Sequence, residues 1–241
     1  RLQDKSVLIY GDFNGLAQAL IRDFTAQGSD VGFINSEKPQ TARFLENVND
    51  TREVHASYGR AAQIDINVKD KKSAAESVSR MAELFGRIDI FVDIKMSSLN
   101  GGSNDFSTSQ LLLEQIAPYF QSKKRGRVVF VREDESANPL LADGVTAHLS
   151  ENFYPWTRAL SNNWPAPGFG VNSVAVGLTE DLLLKKFPQG RSIRSSLENL
   201  RKEHPTINMV DSSEVTSVVL FLSSTAASGV SGQTVRVARA G

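Results

Sequence analysis

The sequence predicts an α/β fold, with one doubly wound parallel sheet of about seven strands flanked by helices. Short apolar segments alternate with amphipathic ones along the whole chain, which is typical of repeated strand–helix–strand units. The apolar segments are almost continuously hydrophobic, as strands are when helices cover both faces of a sheet. The first of them runs through a glycine-containing turn into a helix pattern, and a helix terminus placed in this way can hold an anion.

Each predicted element follows from local periodicity and from the residues that end it. The predicted strands are Ser6–Tyr10, Asp30–Ile34, Ala61–Ile64, Ile88–Val92, Arg127–Val131, Gly170–Val174 and Thr234–Val237. The predicted helices are Leu16–Gln27, Lys71–Phe85, Ser107–Gln121, roughly Ser150–Asn163, and one that Ser212 or Ser213 caps. Ser97–Asp105 is expected to be a loop, and Leu178–Asn208 a helical insertion. No linker divides the chain, so residues 1–241 are predicted to form a single domain.

The composition excludes several classes of function. Lys plus Arg and Asp plus Glu both number 27, so no net charge attracts nucleic acid or an anionic membrane. The chain has no cysteine and only three scattered histidines, so we expect no metal site. No apolar stretch approaches the roughly 20 residues that span a bilayer. We expect a cytoplasmic protein, although a chain that begins at Arg1 is compatible with the loss of an upstream targeting segment.

Five sequence blocks, in order and at consistent spacing, resemble the short-chain dehydrogenase/reductase family across nearly the whole chain. The family's opening pattern Thr-Gly-x-x-x-Gly-x-Gly is matched by Tyr10-Gly11-Asp-Phe-Asn-Gly15-Leu16-Ala17. The other matching blocks are Asp65 after the third strand, Gly126-Arg-Val-Val-Phe, Phe169-Gly-Val-Asn-Ser-Val174, and Val219-Leu-Phe-Leu-Ser with Val230-Ser-Gly-Gln. The resemblance implies a Rossmann-type fold and an NAD(P)-dependent oxidoreductase ancestry.

The positions of the family's proton-transfer groups hold other residue types. Enzymes of the family use a tyrosine whose pKa is lowered by a lysine one helical turn later, with a serine and an asparagine nearby. A gap-free register places Thr146 at the tyrosine position and Ser150 at the lysine position. Glu133 falls at the serine position and Asp105 on or near the asparagine position. Since none of the usual groups is present, we predict a degenerate catalytic site.

A rival alignment stays open. Tyr154-Pro-Trp-Thr-Arg158 has the tyrosine-to-arginine spacing of the dehalogenases within the family. This alignment needs a deletion before the next strand and places Pro155 directly after the tyrosine. The competing interpretation is that Tyr154 and Trp156 are aromatic residues that pack in the core or at an interface, on a helix that Pro155 is expected to interrupt. Glu133, with the acidic residues that follow it, is either a general acid–base candidate or part of a solvated loop.

The positions that would bind the cofactor are partly retained. Gly11, Gly15 and Leu16 keep the turn into the first helix, and Asp65 matches the acidic residue beside adenine. Asn35 takes the place of the family's ribose-binding acid, and no arginine follows it, so NAD is favoured over NADP if either binds. The alternative is that the two glycines only permit the turn and close packing.

The later cofactor positions are changed more strongly. Asp93-Ile-Lys95-Met96 replaces the family's Asn-Asn-Ala-Gly, and Asp181 stands where a threonine usually holds the carboxamide. Lys95 is a candidate to fill the old site by pairing with Asp93, Glu133 or Asp105.

Three functions from different classes follow. The first is a catalytically degenerate family member that acts as a binding or assembly protein, with weak or no dinucleotide binding. The second is an oxidoreductase with unconventional groups, and the third is a non-redox enzyme or a small-molecule sensor. We expect a homo-oligomer, either a dimer or a tetramer, that uses the helices predicted at Ser107–Gln121 and Ser150–Asn163. A protein partner is possible under the first function, with Trp156 and Trp164 as anchors or as core residues.

Overall fold

A computed structural model describes residues 2–35, 38–96, 106–134, 148–164, 168–186, 192–205 and 207–239. Its strands form one parallel sheet in the order β3-β2-β1-β4-β5-β6-β7. The strands are β1 Ser6–Gly11, β2 Asp30–Ile34, β3 Ala61–Ile64, β4 Ile90–Lys95, β5 Gly126–Glu133, β6 Phe169–Val176 and β7 Thr234–Val237. The helices are α1 Gly15–Ala26, α2 Lys38–Val54, α3 Lys71–Phe85, α4 Ser107–Lys123, α5 His148–Asn163, α6 Glu180–Lys186, α7 Ile193–Glu203 and α8 Ser212–Ser223. The predicted doubly wound α/β fold is confirmed.

Alternating side chains of each strand enter two hydrophobic clusters, one on each face of the sheet. On β1, Val7 and Ile9 face the cluster that includes side chains of α1 and α8. Leu8, between them, faces the cluster that includes side chains of α3 and α4. Because both faces are covered, the strands are apolar at nearly every position, which is the pattern that made them recognisable in the sequence.

The helix ends agree in part with the predicted ones. Asp70 caps α3 by accepting a hydrogen bond from the Ser73 amide, and Gly86 ends it in the left-handed conformation. The predicted cap of α8 is wrong, because Asp211 caps it and accepts a hydrogen bond from the Ser213 amide at 2.8 Å. Helix α2 was not predicted, since most of its residues are polar and only a few side chains, such as Leu45, reach the core.

Two further features bear on the site. Helix α5 is continuous through Pro155, so the expected interruption there is wrong. All strands are parallel, so β1 to β6 end at one side of the sheet, which we call the carboxyl edge, and begin at the opposite amino edge.

The loop predicted at Ser97–Asp105 lies outside the described residues. Among the residues that are described, no helix is both long enough and apolar enough to cross a membrane.

Candidate functional site

The turn from β1 to α1 has a backbone that only glycine fits at its first position. Gly11 has a φ of 148°, which L side chains rarely adopt. A Cβ atom on Gly11 would lie 2.0 Å from the carbonyl oxygen of Ile94 on the neighbouring strand β4. The close approach of these two strand ends therefore requires Gly11 whether or not a ligand binds.

Helix α1 begins at Gly15, one residue after its cap. The side chain of Asn14 accepts a hydrogen bond from the Ala17 amide at 2.8 Å. Leu16 is only 2% exposed, and its side chain packs into the core, so that only its backbone faces the carboxyl edge. The turn thus presents the amino terminus of α1, the end of a helix that attracts negative charge.

A carboxylate of the protein itself lies beside this helix terminus. A Cβ atom built on Gly15 would lie 3.0 and 3.3 Å from the two carboxylate oxygens of Asp181. Asp181 is in the first turn of α6, which follows β6. In dinucleotide-binding folds the pyrophosphate takes the position next to the first helix terminus. Asp181 therefore places a negative charge where such a fold binds a negatively charged group.

A cavity of about 480 Å³ lies next to Asp181. Its size is within the range of ligand pockets, roughly 300 to 1,000 Å³. The lining residues are Gly15, Thr179, Glu180, Asp181, Met209, Val210, Asp211, Ser212 and Arg239. Two of its charged groups are already engaged, because Asp211 caps α8 and the Arg239 guanidinium donates to Glu214 at 2.7 Å.

The side chain of Asn35, the predicted ribose-binding residue, points into the protein interior. Asn35, at the end of β2, is 9% exposed, and its amide nitrogen lies 3.5 Å from the hydroxyl oxygen of Thr41 on α2. Its backbone carbonyl accepts a hydrogen bond from the side chain of Gln63 on β3. Asp65 is exposed just beyond the end of β3. The structure thus places Asn35 and Asp65 near one another at the carboxyl edge, with the side chain of Asn35 buried.

Beside Asn35, the cavity at the ends of β1, β2 and β4 measures about 140 Å³. This is well below the roughly 300 Å³ at which ligand pockets begin. Tyr10, where the family has threonine, lines the cavity, and burial together with the negative charge of Asp93 raises the pKa of Tyr10. The other lining residues are Gly11, Asp12, Ile34, Asn35, Ile66, Asn67, Val68, Ile94 and Lys95.

A buried ion pair joins the ends of β4 and β5. The Arg132 guanidinium donates to a carboxylate oxygen of Asp93 at 2.9 Å and to the Asp93 carbonyl oxygen at 2.8 Å. The Ser109 hydroxyl of α4 donates to the same carboxylate oxygen. The Asp93 side chain is 0% exposed and that of Arg132 is 11% exposed. The guanidinium carbon of Arg132 lies 4.6 Å from the centre of the Phe153 ring on α5.

This ion pair excludes one of the three partners expected for Lys95. Asp93 pairs with Arg132 and not with Lys95, whose side chain is exposed and lines the small cavity beside Asn35. Met96 is buried in the core. The partner was missed because Arg132 lies on an adjacent strand, although the opposite charges at two neighbouring strand ends were a usable signal. This network of Arg132, Asp93 and Ser109 ties two strands to α4 and, through the ring contact, to α5.

The acidic residues at the end of β5 are not a solvated loop. Glu133, at the position of the family's serine, is 6% exposed, and Asp134 is also buried. Asp134 forms an ion pair with Arg236 of β7 at 2.5 Å. Its backbone amide also donates to the Val176 carbonyl oxygen of β6. The interpretation of these two residues as solvated is wrong, because both are buried and Asp134 joins the end of β5 to β6 and β7.

The other predicted catalytic positions are described only in part. Thr146 and Asp105 lie outside the described residues. Ser150 lies in the first turn of α5, with a side chain that is also outside the description. The roles assigned to these three residues stay predictions.

The rival pair Tyr154 and Arg158 lies on α5. Tyr154 is partly buried, and its ring centre lies 5.9 Å from that of Phe153. Arg158 is exposed, and its Cγ atom would lie 3.8 Å from a Cβ atom on Gly232, which comes just before β7. Because Gly232 is at the amino edge, the structure directs Arg158 away from the strand ends that form the site.

Comparison with known proteins identifies the family. Residues 109–239, more than half of the chain, match the protein-family model described as Enoyl-(Acyl carrier protein) reductase. The chain belongs to the short-chain dehydrogenase/reductase family. It is 25% identical to the human mitochondrial dehydrogenase/reductase SDR family member 2, over 98% of this chain and 86% of that protein. It is 23% identical to the 3-oxoacyl-[acyl-carrier-protein] reductase FabG of Thermotoga maritima, over 98% and 97% of the two chains.

Solved structures of short-chain dehydrogenases/reductases share the fold. Levodione reductase superposes with a TM-score of 0.78 at 20% identity, over 99% of this chain and 97% of that one. A family member from Burkholderia xenovorans gives the same TM-score at 22% identity, over 98% and 96% of the two chains. At these identities the likeness establishes the architecture, and the chemistry has to be argued from the site.

Proposed function

We propose that this short-chain dehydrogenase/reductase homologue is catalytically degenerate and acts as a binding or assembly protein, with weak or no dinucleotide binding. The observation that carries the proposal is the carboxylate of Asp181 beside Gly15. A pyrophosphate group at the amino terminus of α1 would meet this like charge at short range, where repulsion is strong. In this arrangement the site residues do not fit a dinucleotide.

Two further observations support the proposal. At the end of β4, where the family packs small neutral residues against the cofactor ribose, this chain has the buried network of Asp93, Arg132 and Ser109. In the alignment predicted from the sequence, Glu133, which is buried at the end of β5, takes the position of the family's serine, whose hydroxyl would contact the substrate oxygen. A carboxylate there opposes the negative charge that develops on that oxygen during hydride transfer to a carbonyl.

The proposal is tested by a substitution that removes the charge of the Asp181 side chain and keeps its size. We expect Asp181→Asn to bind NADH at least about tenfold more tightly than the unmodified chain, because the like charge beside the helix terminus is lost. Fluorescence or calorimetric titration measures the change. The matched control is Glu180→Gln, which removes the same charge from the adjacent, exposed residue that lines the same cavity. Equal NADH affinity in Asp181→Asn and the unmodified chain would count against the proposal.

The proposed assembly is a homo-oligomer of a cytoplasmic protein. Helix α4 offers less apolar surface to a second copy than expected, because its stripe of Leu112, Ile116 and Phe120 packs into the chain's own core. Trp156 is likewise stacked on Phe106, with ring centres 5.2 Å apart. By contrast, Phe221 of α8 is 46% exposed. Helix α8 contacts β7, the last strand of the described sheet, whose outer edge offers unpaired backbone groups.

Phe221 allows the assembly to be tested. We expect Phe221→Ser to lower the oligomeric state of the chain, because a large exposed aromatic residue is a typical interface anchor. Light scattering coupled to size exclusion measures the mass of each variant. Leu184→Ser is the matched control, since Leu184 of α6 is similarly exposed at 43%. A monomeric unmodified chain, or a mass unchanged by Phe221→Ser, would contradict an interface on α8.

A further inference from the structure

Basic residues are concentrated at the amino edge of the sheet, opposite the site described above. Lys5 comes directly before β1 and Arg87 shortly before β4, while Lys123 is the last residue of α4 and Arg125 comes directly before β5. The three strands are neighbours in the sheet. Since adjacent strands lie about 4.8 Å apart, the ends of β1 and β5 are separated by only about 10 Å. The topology thus gathers four cations from distant parts of the chain.

The carboxylate of Asp89 is buried among these cations, and both of its oxygens accept hydrogen bonds. The Arg87 guanidinium donates to both oxygens of Asp89, at 2.6 and 2.7 Å, and the Ser6 amide donates to one of them at 3.0 Å. Burial opposes the ionisation of Asp89, yet these hydrogen bonds, together with nearby cations, hold its pKa below the ordinary value. Asp89 also attracts Lys5 and Lys123, and Asp4 lies near Lys5 and Arg87. Two carboxylates thus face four cations, and a surplus of positive charge remains.

Within the described part of the chain, Lys5 and Arg125 keep side-chain donors that no other residue uses, whereas Lys123 is enclosed beside Asp89. The Lys123 ammonium is buried, lies 3.7 Å from Asp89 and has no hydrogen-bond partner within the described part of the chain. Neither Lys5 nor Arg125 forms a side-chain hydrogen bond or an ion pair with any described residue. Burial lowers the pKa values of Lys5 and Lys123. The attraction of Asp89 opposes this shift, and the neighbouring charges of Arg87 and Arg125 add to it. Repulsion among these like charges destabilises the cluster.

We propose that Lys5 and Arg125, with the positive charge of the enclosed Lys123 ammonium behind them, form a binding site for the diphosphate group of a small molecule. A multivalent anion would neutralise the surplus positive charge and accept hydrogen bonds from the unused donors. A helix dipole at the end of α4 explains the position of Lys123 but not those of Lys5 and Arg125. A small anion fits better than a nucleic acid, because the cluster spans only three strands and the whole chain has no net charge.

The test is a calorimetric titration of the full chain with inorganic pyrophosphate at constant ionic strength. We expect saturable binding that Lys5→Gln and Arg125→Gln each weaken by about tenfold, the effect of losing one charge-assisted hydrogen bond. Lys124→Gln is the matched control, because Lys124 is exposed in the same basic run. It should leave the affinity unchanged. Melting temperatures of all variants establish that each is folded.

ADP serves as the second arm of the titration. Equal affinity for ADP and pyrophosphate assigns the site to the diphosphate group alone, whereas tighter binding of ADP assigns it to a nucleoside diphosphate. No saturation with pyrophosphate in the millimolar range would overturn the proposal, as would equal weakening by Lys124→Gln. NADH also carries a diphosphate group, so the dinucleotide titrations compare the unmodified chain with the Lys5→Gln, Arg125→Gln double variant, in which only the site beside Asp181 remains.

Discussion

Replacing Arg132 by methionine is expected to lower the free energy of unfolding by about 3 to 5 kcal/mol, the cost of breaking a buried ion pair on one side. Asp93 is fully buried and would keep only the Ser109 hydroxyl as a side-chain partner. Methionine retains an unbranched side chain that can still contact Phe153, so the loss reports mainly on the charge. Urea unfolding measures the loss of stability, provided that the dependence of the unfolding free energy on urea concentration is the same in both chains.

A double variant separates the ion pair from its surroundings. Asp93→Leu combined with Arg132→Met removes both charges, and apolar replacements of buried pairs are often neutral. We expect the double variant to regain most of the stability that Arg132→Met loses. Exposed ion pairs contribute less than about 1 kcal/mol. If Arg132→Met lowered the free energy of unfolding by less than that, the pair would not stabilise the chain as a buried ion pair does.

Gly11→Ala is expected to destabilise the chain by more than the ordinary cost of the left-handed backbone, about 1 to 2 kcal/mol. The added Cβ atom would overlap the Ile94 carbonyl oxygen, so β1 and β4 would have to separate. Gly86→Ala is the control, because Gly86 also has a positive φ of 71° but its Cβ position is open. Thermal and urea unfolding compare the two. Equal costs for both variants would refute the steric role of Gly11.

The fold could be predicted because its signals are local. Strand β3 at Ala61–Ile64 and helix α3 at Lys71–Phe85 were predicted with their observed bounds, since short apolar segments, an N-cap and a terminal glycine define them. Helix α2 was missed because its polar surface leaves little periodicity to detect. The interruption expected at Pro155 does not occur, since packing of α5 against the sheet outweighs the lost hydrogen bond.

The site could be predicted only in outline. Asp93, Glu133 and Asp181 were assigned to replaced positions by their place in the family pattern, and this assignment stays a prediction. Their partners were not identified, because an ion pair between two strands, such as Asp93 with Arg132, depends on three-dimensional register. Likewise, the proximity of Asp181 to Gly15 joins residues far apart in the chain, and no local periodicity encodes it.

Titration with NAD, NADH, NADP and NADPH, one at a time, shows whether the site at the amino terminus of α1 binds a dinucleotide. The Lys5→Gln, Arg125→Gln double variant is titrated beside the unmodified chain, so that binding of the cofactor diphosphate at the amino edge is not counted. We expect no saturation of the double variant below about 1 mM for any of the four, because Asp181 and the small cavity beside Asn35 oppose the pyrophosphate and the nucleoside. A micromolar dissociation constant of the double variant for any one of them would contradict the proposed function. In that case the chain would bind a cofactor in the manner of its enzyme relatives, and the search for hydride transfer should begin at Glu133 and Tyr154.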